Sequence, residues 1–554
     1  MKRYKPGFFI LSLAALTLGF LPLPAPEKGA RTITVDELRY HLEFLGATEF
    51  RGRETPSPEL EIATLYLGNW ARHAGLKPIL PDGSFFQTIP ISVTRVVEPH
   101  TRLLVSGRQG DRIFYYGKSF AGDFSESGSF CGPVVFAGLG ISDPSTGRDD
   151  LQGLDLAGKV VVILDAQPLA YEYPLGSTYS FRLFQRIAKI REQGAAAVLS
   201  IVTPERAELE AQGMPVFDDI PAGRMDTLYE SQRRGAPARP VTDPIAAPAR
   251  PPLPFAHAQV SHEAAAAIMG VNCAEIGGWY RMIEKGESLP HREITGSRVR
   301  LDVEVEKTPA STRSVIAQVP GSDPRLRHEY IVVCAHHDHL GIGDGEIIPG
   351  ADDNATGTVA LMEIAQALLV EKPKRTVILA WFTGEERGYI GSQHFVNNCP
   401  VPLEKVSACL NLDMLGRNGV DHLYLVGSDL LSSELDGAIR KVNRRSGLDF
   451  RFDYLYSNLT HPQRVYFRSD HYPHVRFGIP SVWFFCGFTP DYHTSRDVLS
   501  AIDYRKLLRC TRLVYLTTLE IGNRQNLLKL DVNPEVTSRG KHNLTVRSLF
   551  QNNN

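Results

Sequence analysis

The sequence predicts an α/β fold whose main sheet is mostly parallel, mixed in direction and sandwiched by helices, with a second, β-rich unit inserted. Three observations carry that prediction. From about residue 310, "YIVVCAHHDH", "RTVILAWFTGEE", "KVSACLNLDM" and "PSVWFFCG" are continuous apolar runs ending in polar residues, with amphipathic stretches such as "GTVALMEIAQALLVE" between them. Continuous apolar strands alternating with helices mark a parallel sheet covered on both faces. Between 106 and 290 the rhythm changes to short β-branched runs bounded by glycine, "GPVVFAG", "GKVVVILDA" and "AAAVLSIV". Third, 554 residues are too many for one ordinary domain.

In chain order, Lys2, Arg3 and Lys5 precede the apolar run "FFILSLAALTLGFLPL", followed by small residues and prolines. This is the pattern of an export signal over residues 1–25. The run falls short of the ~20 residues of a membrane span, and an uncleaved anchor is the alternative. Export to the periplasm or outside the cell is expected, with no membrane contact beyond such an anchor. Residues 31–105 open the main domain: "TVDELRYHLEFLG" and "SPELEIATLYLGNWARHAG" read as two helices, with Thr34 and Ser57 as caps and Gly75 as stop. Residues 106–290 form the inserted unit, in which "GAPARPVTDPIAAPARPPLPF" reads as an extended surface loop. Residues 291–525 complete the main domain, and 526–554 read as a polar, poorly packed tail.

Composition excludes several classes. The hydrophobic share of 43% is that of a globular chain, and a net charge of −2 without a basic stripe argues against nucleic acid as a partner. Seven cysteines without CxxC spacing form neither a disulfide framework nor a zinc ribbon, although one incidental disulfide stays open.

The polar residues that carry chemistry sit just past the apolar strands, where an open α/β sheet places its crevice. In order they are His336 and Asp338, Asp352 and Asp353, Glu385 and Glu386, Asp413, and Asp491 and His493. Imidazoles and carboxylates converging on one rim suit zinc or another first-row divalent ion. His336 and Asp338 are i, i+2, so on a strand the second can orient the first ring. Glu385 and Glu386 are adjacent in a turn and can face different ways, one toward metal and one toward a water as base. The crowded "GADDNAT" calls for a pair of cations, one aspartate lying between them. Asn354 begins a glycosylation pattern, but beside a metal centre it is expected to carry no sugar.

The segments "AHHDHLG", "GADDNATGTVALMEIA", "FTGEERGYIGS", "NLDMLGR", "RSDHYPHVRFGIPSVWFF" and "DYHTSRD" resemble the M28 family of zinc metallopeptidases. "GPVVFAGLGI", "LDLAGKVVVIL" and "REQGAAAVLSIV" are similar to the protease-associated (PA) domain inserted in exported members. The resemblance implies a zinc-exopeptidase-like fold and two Zn2+ ions. It assigns one ion to His336 and Asp413, the other to Glu386 and His493, with Asp353 shared by both. It makes Glu385 the general base, lets Asp338 orient His336, and gives Tyr492 the oxyanion. Asp352 then shapes the helix entry, and His337 and His339 are not expected to bind metal. The implied activity is that of an exported aminopeptidase, removing N-terminal residues from peptides with a hydroxide held between the ions.

Other readings stay open at this level. A carboxypeptidase or dipeptidase of the same fold would need a cation for the terminal carboxylate, for which Arg417, Arg468 and Arg496 are placed. Glutaminyl cyclases, which are acyltransferases, share the fold but use one zinc. A receptor-like binding protein on this scaffold would have lost ligands, and here none is lost.

Overall fold

The structure is a computed structural model that describes residues 28–107, 110–122, 124–143, 148–166, 179–204, 207–208, 223–227, 255–343, 345–461 and 463–542. The expected signal over 1–25 and the Pro-rich loop up to residue 254 lie outside these. No described helix is long and apolar enough to cross a membrane.

The first two long helices form where their end signals stand. Helix α1 (Val35–Leu45) starts at Thr34, whose hydroxyl accepts from the Glu37 amide, and α2 (Pro58–Ala74) starts at Ser57, whose hydroxyl accepts from Leu60. Gly75 closes α2 at φ 92°, a left-handed conformation that costs glycine no Cβ clash. On α1 the buried residues are Leu38, His41, Leu42 and Leu45, the i, i+3, i+4, i+7 stripe of a helix laid on a core.

The main sheet contains β1 (Phe86–Val96), β2 (Val305–Val319), β3 (Tyr330–His336), β4 (Thr376–Phe382), β5 (Val406–Leu412), β6 (His422–Val426), β7 (Arg451–Asp453) and β8 (Ser481–Phe485). Their spatial order is β1-β2-β4-β3-β5-β8-β6-β7. The central four, β4, β3, β5 and β8, run parallel, while β2 and β6 flank them antiparallel. Along β3, Ile331, Val333 and Ala335 enter one core with α1, α3 (Gly357–Val370) and α5 (Tyr504–Gly522). Val332 and Cys334 enter the other with Phe395 and Val396 of α4 (Ile390–Asn397). Both faces of the sheet are therefore covered, which is why these strands read as unbroken apolar runs.

A second, eight-stranded sheet spans Arg102 to Val303, with Gly128–Ala137, Val160–Leu164, Ala197–Ile201 and Ala256–Val260 paired in parallel at its centre. It begins before residue 106 and ends after residue 290, outside the expected limits. The strands responsible, Arg102–Gly107 and His291–Val303, alternate exposed and buried residues, and such a pattern does not reveal which sheet a strand joins. Where Phe86–Val96 leads out of the main sheet and Val305–Val319 leads back in, the chain runs side by side: the Val97 amide donates to the Glu304 carbonyl at 2.8 Å, and the Glu304 amide donates to Thr101 Oγ1 at 3.1 Å.

The tail differs from expectation. Leu528 is fully buried in the main core and Val536 is buried beside β8, while Arg539 donates to the Leu528 carbonyl. A few apolar side chains spaced through a polar stretch anchor residues 526–542 to the domain.

Candidate metal centre

The polar ends of the parallel strands meet at one rim. His336 is the last residue of β3, and Glu385 and Glu386 occupy the turn after β4. Asp413 follows β5, and His493 lies in the loop after β8. Asp353 sits in the buried turn Ala351–Thr356 that leads into α3, at a break in helical geometry (φ −105°, ψ 91°). His493 is held at φ 56°, a left-handed conformation rare for a side-chain-bearing residue and concentrated at functional sites.

The two oxygens of Asp353 face different groups. Oδ1 lies 3.4 Å from His336 Nε2, which is also 3.4 Å from Asp413 Oδ1. Oδ2 lies 3.1 Å from His493 Nε2, which is 3.5 Å from Glu386 Oε1. A tetrahedral zinc with bonds of about 2.0–2.1 Å has ligand–ligand edges of about 3.3–3.5 Å. His336 Nε2 is buried without a hydrogen-bond partner. The donor types, the spacing and the orphaned nitrogen all fit a divalent ion on each side of Asp353.

The charge balance points the same way. Burial opposes a charge on His336, yet Asp413 and Glu385 outweigh it and hold its pKa well above the ordinary imidazole value. Burial likewise opposes charge on His493, but Glu386 and Asp353 raise it to about 9. Burial and then the Glu386 charge push the Asp353 carboxyl up. The crowded carboxylates thus draw protons onto the imidazoles, and a cation that takes their place meets the same demand.

Supporting groups fix these side chains. The Asp497 carboxylate accepts from the Asp352 and Asp353 amides at 2.9 and 3.0 Å. Asp352 Oδ1 accepts from the Gly416 amide at 2.7 Å and from Thr356 Oγ1 at 3.0 Å, so its carboxylate binds the helix entry to the loop after β5. Ser469 Oγ donates to Asp413 Oδ2 at 2.6 Å, and Trp483 Nε1 donates to the Asp413 carbonyl at 3.0 Å. Arg53, fully enclosed, donates to the carbonyls of Leu45, His337, Pro349 and Gly350. Asn354 is buried, with its amide spent on Leu412, Gly357 and Met414, which leaves no room for sugar.

Two expectations are corrected. Asp338 does not orient His336 through its carboxylate: the nearest approach to His336 Nδ1 is 3.7 Å, too long for a hydrogen bond, and that nitrogen meets the Asp338 main-chain carbonyl at 3.2 Å. The carboxylate instead accepts from the Glu385 amide at 3.1 Å, because the chain leaves the strand after His336 and turns that side chain toward β4's exit. His339, set aside in the sequence, joins the second ligand group, its Nδ1 2.8 Å from Glu386 Oε1. His337 stays out: Nδ1 bonds the Phe382 carbonyl and Nε2 the Thr64 hydroxyl.

Beside the candidate ligands a cleft is lined by Glu385, Met414, Arg468, Trp483, Phe488 and Tyr492 as well as Asp353, Glu386 and Asp413. Glu385 is pushed well above the usual carboxylate range by burial, and then further by Glu386, although His336 pulls the other way. Burial also raises the Tyr492 hydroxyl well above its ordinary value, so it stays a donor. Its oxygen accepts from Arg468 at 3.1 Å. Arg417 and Arg496 both pair with Asp491.

The sequence profile of peptidase family M28 matches residues 314–518, the span that carries every one of these ligands. Over residues 314–518 the chain is therefore similar to M28 peptidases. Among curated proteins, the chain is similar to a probable leucine aminopeptidase of Arthroderma benhamiae, 28% identical over 229 residues, which cover 39% of this chain and 57% of that protein. It is also similar to leucine aminopeptidase 1 of Trichophyton equinum, 29% identical over 219 residues, covering 36% and 56%. The chain thus spans little more than half the length of the curated relatives it matches. Among solved structures, an aminopeptidase from Aneurinibacillus sp. matches with a TM-score of 0.51 at 17% identity, over 92% of this chain and 98% of that one. A zinc aminopeptidase from Bacillus subtilis gives 0.52 at 17% identity, over 90% and 99%. These likenesses establish that the fold is shared.

Proposed function

We propose that the chain is an exported zinc metallopeptidase, an aminopeptidase that removes N-terminal residues from peptides. The observation that carries this reading is the division of Asp353 between two ligand pairs, supported by the M28 match and by the activities in the relatives' names. His336 and Asp413 would hold one ion, Glu386 and His493 the other, with Asp353 available to both, and His339 steadies Glu386. Polarisation of the scissile carbonyl and acidification of the attacking water are the chemistry such a pair supplies when bound.

The chain's own residues do the rest. Glu385 accepts the proton of the attacking water on its carboxylate and returns it to the departing amine nitrogen. Burial, which raises the Glu385 carboxyl above the ordinary carboxylate range, favours its holding the proton that it then returns to the amine. The Tyr492 hydroxyl, kept protonated and braced by Arg468, donates to the developing oxyanion. The acidic lining of the cleft favours a substrate's free amine, while Arg417 and Arg496 both pair with Asp491 and Arg468 is turned to the Tyr492 hydroxyl. Export rests on the basic and apolar pattern at the N-terminus. The second sheet is read as a PA-like insertion without chemistry of its own, since the candidate ligand clusters among the described residues lie outside it.

The test is a peptide panel. C-amidated peptides with a free N-terminus should be cleaved residue by residue and N-acetylated ones should resist. Cleavage of N-acetylated but not of C-amidated peptides would reverse the assigned direction.

A further inference from the structure

Helices α1 and α3 bring a second set of ligand-type side chains together, away from the crevice. Glu37 and His41 stand one turn apart on the same face of α1, and Glu363 reaches them from α3. One ligand atom from each of the three lies within 4.8 Å of the others. None belongs to the crevice groups: Glu363 lies six residues beyond Gly357 in α3, about 9 Å along the helix from the end that adjoins the Asp353 turn.

Their environments are those of a built site. Glu363 is only 1% exposed, and its Oε1 is enclosed with no hydrogen-bond partner. An orphaned buried carboxylate oxygen is costly unless a cation or a proton meets it. Among the described residues no lysine or arginine pairs with any of the three. His41 is 4% exposed, and its Nδ1 lies 2.8 Å from the Tyr66 hydroxyl. An Nδ1–H donating to that oxygen leaves the Nε2 lone pair free to ligate, the arrangement that a hydrogen-bonded outer partner gives a metal-binding imidazole. Glu37 is exposed, so the cluster has a path to solvent for an ion and its remaining water.

We propose that Glu37, His41 and Glu363 form a separate divalent-metal site, of zinc-type donor chemistry, that clasps α1 to α3. Two carboxylates and one neutral imidazole are a suitable set for zinc or a neighbouring first-row ion, with water completing the coordination. The ion's charge balances the two carboxylates. Titration agrees with the geometry: burial lowers His41 to about 4, which keeps it neutral and able to ligate, and burial followed by Glu37 raises Glu363 to about 8. A proton sits on Glu363 when no ion is there. The inference does not depend on the reaction assigned to the crevice.

The test compares zinc content after equilibration with a zinc buffer at neutral pH, in the wild-type chain and in Glu37→Ala and Glu363→Gln. Each variant is expected to hold about one zinc fewer per chain, with its peptide-cleavage rate unchanged. Because the difference between chains is what is read, the outcome is independent of how many ions the crevice holds. Glu37 is exposed, so Glu37→Ala decides the matter should Glu363→Gln fail to fold. Equal zinc content in the wild type and in the folded variants overturns the site.

Discussion

At the crevice, neighbouring carboxylates do different work because their surroundings differ by a few ångströms. Glu386 meets His339 and His493, which overcome the effect of burial and hold its carboxyl well below the usual range, as a ligand requires. Glu385 is raised, because burial outweighs the pull of His336. Glu385→Gln should therefore keep its metal content while cleavage falls by about 10²–10⁴-fold, the usual worth of a general base. Asp353→Asn should instead lose metal, measured by elemental analysis of both variants. A second expectation concerns His337, whose pKa burial lowers from 6.5 to about 4. The unfolded chain takes up the proton below 6.5 and the folded chain resists it until 4. The stability owed to the neutral ring is complete above pH 6.5 and is lost as pH falls through that window, by up to about 1.4 kcal/mol per unit. Urea midpoints at pH 7 and pH 5 should accordingly fall less in His337→Gln than in the wild type. The candidate ligands stood out in the sequence for two reasons: His336, Glu386, Asp413 and His493 lie at or beyond the ends of apolar strands, and Asp353 stands in the crowded "GADDNAT" turn. His339 did not, since three histidines in four residues look alike until the strand's end decides which way each ring faces.

Between elements, the decisive group is a single buried cation. Arg53 joins the end of α1 through Leu45, the exit of β3 through His337, and the approach to the Asp353 turn through Pro349 and Gly350. Burial lowers its pKa to about 10, with Asp497, Asp338, Asp353 and Glu386 countering the loss. Removing it strands several carbonyls and uncovers buried acids, a class of change worth about 3–5 kcal/mol. Arg53→Ala should show that loss in chemical denaturation, and a higher metal requirement for cleavage. Nothing local in "FRGRET" announces this role, because its partners lie up to 297 residues away. The helices were readable from caps and spacing, and the parallel strands from their unbroken apolar character. The alternating strands at the ends of the inserted sheet and the sparse anchors Leu528 and Val536 were not, since what identifies them is the partner and not the run itself.

For the molecule as a whole, two sheets divide the labour. The main sheet gathers every residue of the crevice, while the second builds its own core from Leu103, Val162, Leu199, Ile276 and Leu301 among others. The paired hydrogen bonds between Val97, Thr101 and Glu304 put the outgoing and returning chain one ladder spacing apart, about 4.8 Å. A junction of that kind is a socket. Swapping in an unrelated module, or closing the gap with a short turn, would ask little of β1 and β2 beyond the loss of the edge strand Gly223–Thr227 that pairs with β1. Evolution and the protein engineer alike can therefore alter what stands beside this crevice without rewriting the residues that line it.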